Sequence, residues 1–212
     1  MLLPRFTKLV STSFAILLLA GCATAPSGPS KSATASGDAA DTPQREVPAR
    51  AQTMYEQAAA SMAAGDLIDA ELRFKEFLLN YPDFPGAHVN LAIIHSANGD
   101  DEAAMAAVNA ALAVDADHAP ALNQLGVLHR KNGNFTESEA AYLKAVTVRP
   151  DYPLAHYNLG VLNELYLQRL EAALQHFERY QELVGEDKQV SRWITDLQRR
   201  VAANQRTANV TE

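Results

Sequence analysis

The sequence predicts an all-α fold, a right-handed α-solenoid of about four helix-turn-helix repeats closed by a C-terminal capping helix. Three observations carry this reading. From Ala51 the chain repeats its pattern every 34 residues, small residues recur at two fixed places in each period with bulky apolar ones beside them, and an amphipathic stretch follows the last period. With 48% hydrophobic and 20% charged residues in a chain of 212, the composition is that of a globular protein. The average conceals a change along the chain. Residues 1–50 hold an apolar run followed by Ala, Ser, Thr, Pro and Gly, whereas residues 51–206 read as helix pattern broken by short turns.

Arg5 and Lys8 precede the apolar run Phe14-Ala15-Ile16-Leu17-Leu18-Leu19, which is too short for a stable bilayer span and gives way at once to small residues. This is the pattern of a secretion signal over residues 1–21. Its end, Leu19-Ala20-Gly21-Cys22, resembles the lipobox of bacterial lipoproteins, in which the cysteine is lipidated and the preceding peptide removed. An uncleaved anchor, an ordinary signal peptide with an incidental cysteine, and a cytosolic chain with an apolar start are the competing readings. Cys22 is the only cysteine, which fits a thiol with a single role and leaves no disulfide to staple the fold. Among lipoproteins an Asp after the cysteine holds the protein at the inner membrane. Ala23 stands there instead, so the resemblance implies the periplasmic face of the outer membrane, reached through lipid on Cys22.

Loss of residues 1–21 removes Arg5 and Lys8 and no acidic residue, which takes the formal net charge from −7 to −9. Such a body is not drawn to nucleic acid by electrostatics. Residues 22–50 carry Pro26, Pro29, Pro43 and Pro48 among small and polar residues, with almost nothing bulky to bury, and read as a flexible tether. A coil of ~28 residues holds its ends on the order of 30 Å apart.

Periods 51–84, 85–118 and 119–152 align without a gap, and 153–187 aligns with one extra residue. The seventh and eighth places are Gln57-Ala58, Leu91-Ala92, Leu125-Gly126 and Leu159-Gly160. The twentieth is Ala70, Ala104, Ser138 and Ala173, and the twenty-fourth is Phe74, Val108, Tyr142 and Phe177. Small residues at the eighth and twentieth places let two helices cross closely, and the large groups beside them supply the core that stacking makes continuous. Ala64-Gly65-Asp66, Asn98-Gly99-Asp100 and Asn132-Gly133-Asn134 read as turns, with Gly ending one helix and Asp or Asn capping the next. Pro82 and Pro150, at the thirty-second place, stop the second helix. The pattern resembles the tetratricopeptide repeat, a helix-turn-helix unit, over residues 51 to about 187. Residues 188–212 follow as a capping helix, with Trp193, Ile194, Leu197 and Val201 on one face, and a disordered tail; the cap solvates the last repeat or, alternatively, docks a partner.

The resemblance implies that the first helices line a concave groove through the second, fifth, ninth, twelfth and thirteenth places of each repeat, and that this groove holds an extended peptide or a helix. In this sequence those places include Tyr55, Val89, Asn123 and Tyr157 (fifth), Ile93, Val127 and Val161 (ninth), and Arg130, Lys131 and Glu164 (twelfth and thirteenth). Chaperone-binding members clamp a terminal carboxylate with Lys at the fifth place and Asn at the ninth, and none of the four repeats has that pair. The expectation is therefore a groove of apolar walls with a basic edge at Arg130 and Lys131. For Val89, Ile93 and Val161, packing against a neighbouring repeat is the competing reading. The fourth repeat departs from the pattern at Leu165-Tyr166-Leu167-Gln168-Arg169, which is either a contact patch or a helix lengthened by part of a turn and packed beneath the cap.

Chemistry is absent from the pattern. The six histidines form no His-x-x-x-His pair, so no metal is expected, and His88 and His156 share the fourth place of their repeats, which points to packing. There is no Gly-rich phosphate loop, nucleophile elbow or Cys-His pairing, so neither an enzyme nor a cofactor is expected. Asp100-Asp101-Glu102 opens a helix, where the dipole favours negative charge. The sequence thus predicts a lipid-anchored interaction scaffold that assembles or stabilises an envelope complex through its groove; similar lipoproteins help assemble pilus secretins, insert outer-membrane β-barrels or accompany energised transport systems. The alternative is a regulator docked on a cell-wall enzyme.

Overall fold

The structure, a computed structural model, describes residues 48–210, with side chains described to residue 206. Within them the chain is helical throughout, in the order α1 (Ala49–Ala63), α2 (Leu67–Asn80), α3 (Pro85–Ala97), α4 (Asp101–Val114), α5 (Ala119–Lys131), α6 (Phe135–Val148), α7 (Pro153–Leu165), α8 (Leu170–Val184) and α9 (Lys188–Val210). Successive pairs form the four repeats, the two helices of a pair packing on each other and each second helix on the helix that follows it. The expected signal, lipidation site and most of the expected tether, Cys22 included, lie outside the described residues. The first helix begins at Ala49, two residues before the period itself, because Pro48 stands in extended conformation at its N-cap.

Local chemistry sets most boundaries. Gly65, Gly99 and Gly133 adopt φ near +80°, ending the first helices where a side chain is disfavoured. Asp66 and Asp100 then accept from the amides of Asp69 and Ala103, capping α2 and α4, whereas Asn134 makes no such bond for α6. Pro82 and Pro150 follow the ends of α2 and α6 as expected. Ala116 replaces proline after α4, and there Asp115 accepts from the amide of Asp117 to make the turn.

The crossings follow the small-and-large rule. Ala58, Ala92, Gly126 and Gly160 are all fully or almost fully buried against Phe74, Val108, Tyr142 and Phe177, themselves fully buried. Ser138 fits among the small residues because its hydroxyl donates to the Gly126 carbonyl at 2.8 Å and so is not left bare at that crossing. His88 and His156 play the same structural part. Each ring places Nε2 beside the carbonyl of the repeat-ending proline, at 3.2 Å from Pro82 and 3.1 Å from Pro150.

The turn of the fourth repeat corrects the reading of a lengthened helix. α7 ends at Leu165, in register with α3 and α5, and Gln168 takes the left-handed conformation, φ 54°, that glycine takes in the other three turns. Leu167 packs inward, while Leu165 and Tyr166 are left 64% and 42% exposed.

Candidate functional site

α3 packs on α5 and α5 on α7, whereas the second helices of neighbouring repeats do not pack on one another, so the first helices face the inner side of the curve. Their register decides which side chains are free. Val89 and Asn123 are not: Val89 is buried with Ala111 and Ala121, and Asn123 is 7% exposed. Both are fifth-place residues turned into the contact between adjacent first helices. Asn158 donates to the Asn123 side chain at 2.9 Å, and Asn90 donates to the Tyr55 hydroxyl at 2.8 Å, the same fifth-to-sixth-place link 35 residues apart in each case. These bonds latch repeat to repeat, and they explain polar residues at positions that periodicity assigns to the groove.

The C-terminal end of the groove is covered. α9 stacks as the first helix of a fifth repeat would, with Val190, Ile194 and Leu197 in the places that Ala155, Leu159 and Leu162 hold in α7. Tyr157 lies against Trp193 and Phe177, with ring centroids 6.0 Å apart in each case, and Val161 packs in the same cluster. Glu164 is paired with Arg200 of α9 at 2.7 Å. Tyr157, Val161 and Glu164 therefore anchor the last helix, in correction of their reading as groove contacts. Sequence reasoning assigned them by place number and missed that α9 keeps the repeat register, a signal present in the spacing of Val190, Ile194 and Leu197.

The groove that stays open runs from α1 to α5. At its N-terminal end Gly86 offers no side chain over Tyr55, leaving an apolar hollow of about 360 Å³ lined by Ala51, Tyr55 and Phe84 with Gln52 and Glu56 at its rim. Tyr55 stands on Phe74 and Phe77, centroids 5.5 and 5.6 Å away. Its hydroxyl is pushed above the ordinary phenol range by burial, Asn90 acting the other way. Ile93 follows, half-buried. A second, more polar hollow opens beyond it between Val127, Arg130, Lys131, Phe135 and Tyr166. There the Arg130 guanidinium lies over the Tyr166 ring, 5.9 Å from its centroid, and Tyr166 stacks on Phe135 at 4.7 Å. Lys131 is not a free cation, since its ammonium is 2.5 Å from Asp101 and also donates to the Ser96 carbonyl. The basic edge predicted for two residues thus rests on Arg130.

Among the described residues no three side chains of His, Cys, Asp or Glu gather as metal ligands, and no helix is long and apolar enough to cross a membrane.

Two family models, each described as Tetratricopeptide repeat, match residues 61–128 and 123–188, together more than half of the chain. The chain belongs to the tetratricopeptide-repeat family. No curated protein matches it. Among solved structures, PilF of Pseudomonas aeruginosa superposes with a TM-score of 0.64 at 21% identity, covering 72% of this chain and 69% of that one. TTC0263, a thermophilic tetratricopeptide-repeat protein of Thermus thermophilus, gives 0.62 at 21% identity over 72% and 83%. The anaphase-promoting-complex heterotetramer Cut9–Hcn1 gives 0.60 at 13% identity over 69% of this chain and 29% of that one. At these identities the likeness is one of fold alone.

A histidine pair at the α7–α8 crossing is expected to make the tetratricopeptide array pH-sensitive. His156 and His176 approach through their Nδ1 atoms at 3.2 Å, with Arg179 near His156, so the arrangement suits two neutral rings. Burial first, and then His156, pulls His176 down to about 4, and burial also lowers His156. The folded value lies below the unfolded one near 6.5. The pair's stability is thus present in full above pH 6.5 and is lost as pH falls toward 4, by about 2 kcal/mol after solvent screening. Melting followed by circular dichroism between pH 7.5 and 4.5 is expected to show this slope in the wild type and a shallower one in His176→Gln; equal slopes would refute the assignment.

Proposed function

We propose that this protein is a membrane-anchored interaction scaffold, held by lipid on Cys22 at the periplasmic face of the outer membrane, whose open groove binds an extended peptide or an amphipathic helix of an envelope complex. The observation that carries the groove reading is the uncovered apolar path from Tyr55 through Ile93 to Val127, bounded by the Arg130 guanidinium over Tyr166. An apolar strip with one cation at its end suits a ligand with apolar side chains and a carboxylate at one end. The family supplies the class of function, and the signal-like residues 1–21 with Cys22 supply the address.

The second reading, a regulator docked on a cell-wall enzyme, draws on one observation. Leu165 and Tyr166 project from a turn that elsewhere in the array is Gly beside Asp or Asn. Tyr166 borders the groove's end, so Leu165 separates the two readings better.

The test is photocrosslinking of the full chain in intact cells from residues 93, 127 and 165, followed by identification of the captured protein, with Cys22→Ser in parallel. One envelope protein captured from residues 93 and 127 and not from 165 supports the scaffold. Capture from 165 alone, of a cell-wall enzyme, replaces it with the docking regulator. Cys22→Ser is expected to leave the membrane fraction; retention there would remove the lipid anchor from the proposal.

A further inference from the structure

The outer face of α2 differs from that of every other second helix. Ile68, Leu72 and Leu79 are 76%, 63% and 85% exposed, and at 100° per residue they fall with Lys75 on one narrow stripe opposite the buried Phe74 and Phe77. The repeats supply their own control. At the places of Ile68, Leu72 and Leu79, α4 has Glu102, Ala106 and Ala113, α6 has Thr136, Ala140 and Thr147, and α8 has Glu171, Gln175 and Glu182. The repeat fold therefore does not require large aliphatic groups there. Three of them, each well over half exposed on one helix, are the mark of a surface that is covered in the working protein.

We propose that this stripe is the contact between two copies of the chain, paired antiparallel through α2. Two features select a second copy over other occupants. The spacing of 68, 72, 75 and 79 is four, three, four, which reads the same in both directions and is the seam spacing of paired helices. A two-fold axis midway between Leu72 and Lys75 lays the stripe on itself, Ile68 against Leu79 of the second copy and Leu72 against its Lys75, as an isologous interface requires. Charge follows the same symmetry. Glu71 and Lys75, joined at 2.6 Å within one chain, lie on the same flank, so the two-fold sets Glu71 of each copy within reach of Lys75 of the other. An anionic lipid surface is disfavoured, because Asp69, Glu71 and Glu76 outnumber Arg73 and Lys75 along the helix, and each of those two cations is already paired to Asp69 or Glu71. One helix per copy makes a small interface, so the association is weak, in the micromolar range or above.

Sedimentation velocity on the full chain, with Cys22→Ser to remove the thiol, tests this over a wide concentration range. The wild-type face is expected to give a concentration-dependent dimer. Leu72→Glu together with Leu79→Glu is expected to leave a monomer of unchanged helicity, since both side chains are in water in the monomer. Lys75→Leu, which completes the stripe, is expected to tighten the dimer about tenfold. Gln175→Leu, at the place of Leu72 in the fourth repeat, is expected to change nothing. A wild type that stays monomeric throughout, a dimer that survives the double substitution, or binding of the monomer to anionic vesicles through the same residues would overturn the proposal.

Discussion

Gly126→Val is expected to destabilise the array by about 3 kcal/mol, lowering its melting temperature by on the order of 10 °C. A Cβ built on Gly126 stands 2.5 Å from two ring carbons of Tyr142, and Tyr142 has no room to retreat because it is fully buried. A branched side chain adds two further methyl groups to the same contact. Gly126→Ala is expected to lose less, for two reasons. Alanine recovers about 1 kcal/mol of helix propensity over glycine, and Ala58 beside Phe74 in the first repeat shows that a ring and a Cβ can share this crossing when the helices are set for it. Thermal unfolding of the three proteins checks the order wild type, Ala, Val. A valine variant as stable as the wild type would mean that the α5–α6 crossing is looser than its burial indicates.

Phe177→Ala is expected to cost about 3–5 kcal/mol and to loosen the last helix before the rest of the array melts. Phe177 is fully buried, lies 5.5 Å from Trp193 and 6.0 Å from Tyr157, and is the only ring in the eighth helix's contact with both α7 and α9 among these aromatic pairs. Its removal takes the support from Trp193, which is the single tryptophan of the chain. Because repeats contact only their neighbours, the damage stays at this end. Tryptophan emission should therefore shift to the red at temperatures where most helical circular dichroism persists. Coincident transitions in the two signals, or an unshifted emission, would show that α9 does not depend on this cluster.

The two substitutions illustrate which parts of the fold were legible from residue types alone. Places eight, twenty and twenty-four mark a crossing because a small residue facing a larger apolar one recurs in phase, and the constraint there is local and steric. The turn glycines were legible for the same reason. The groove was less so. A place number fixes the face of a helix a residue occupies but not whether a neighbouring helix covers that face. Val89 and Asn123 point toward the next first helix, and Tyr157, Val161 and Glu164 are covered by α9. Lys131 belongs by its place to the basic edge of the groove, yet Asp101, 30 residues earlier, neutralises it.

The sequence by itself determined the repeat, its period, the glycine turns of the first three repeats and the residues of each crossing, because each of these follows from short-range sterics that recur in phase. It also carried the apolar stripe of α2, visible as a difference between one repeat and the other three. Only the tertiary structure decided which groove residues remain accessible, that the fourth turn uses Gln168 where glycine stands elsewhere, and that the open path ends at Arg130 and Tyr166. Those properties depend on contacts between residues about 35 positions apart, set by the angle at which one repeat stacks on the next, and no spacing within a single repeat encodes that angle.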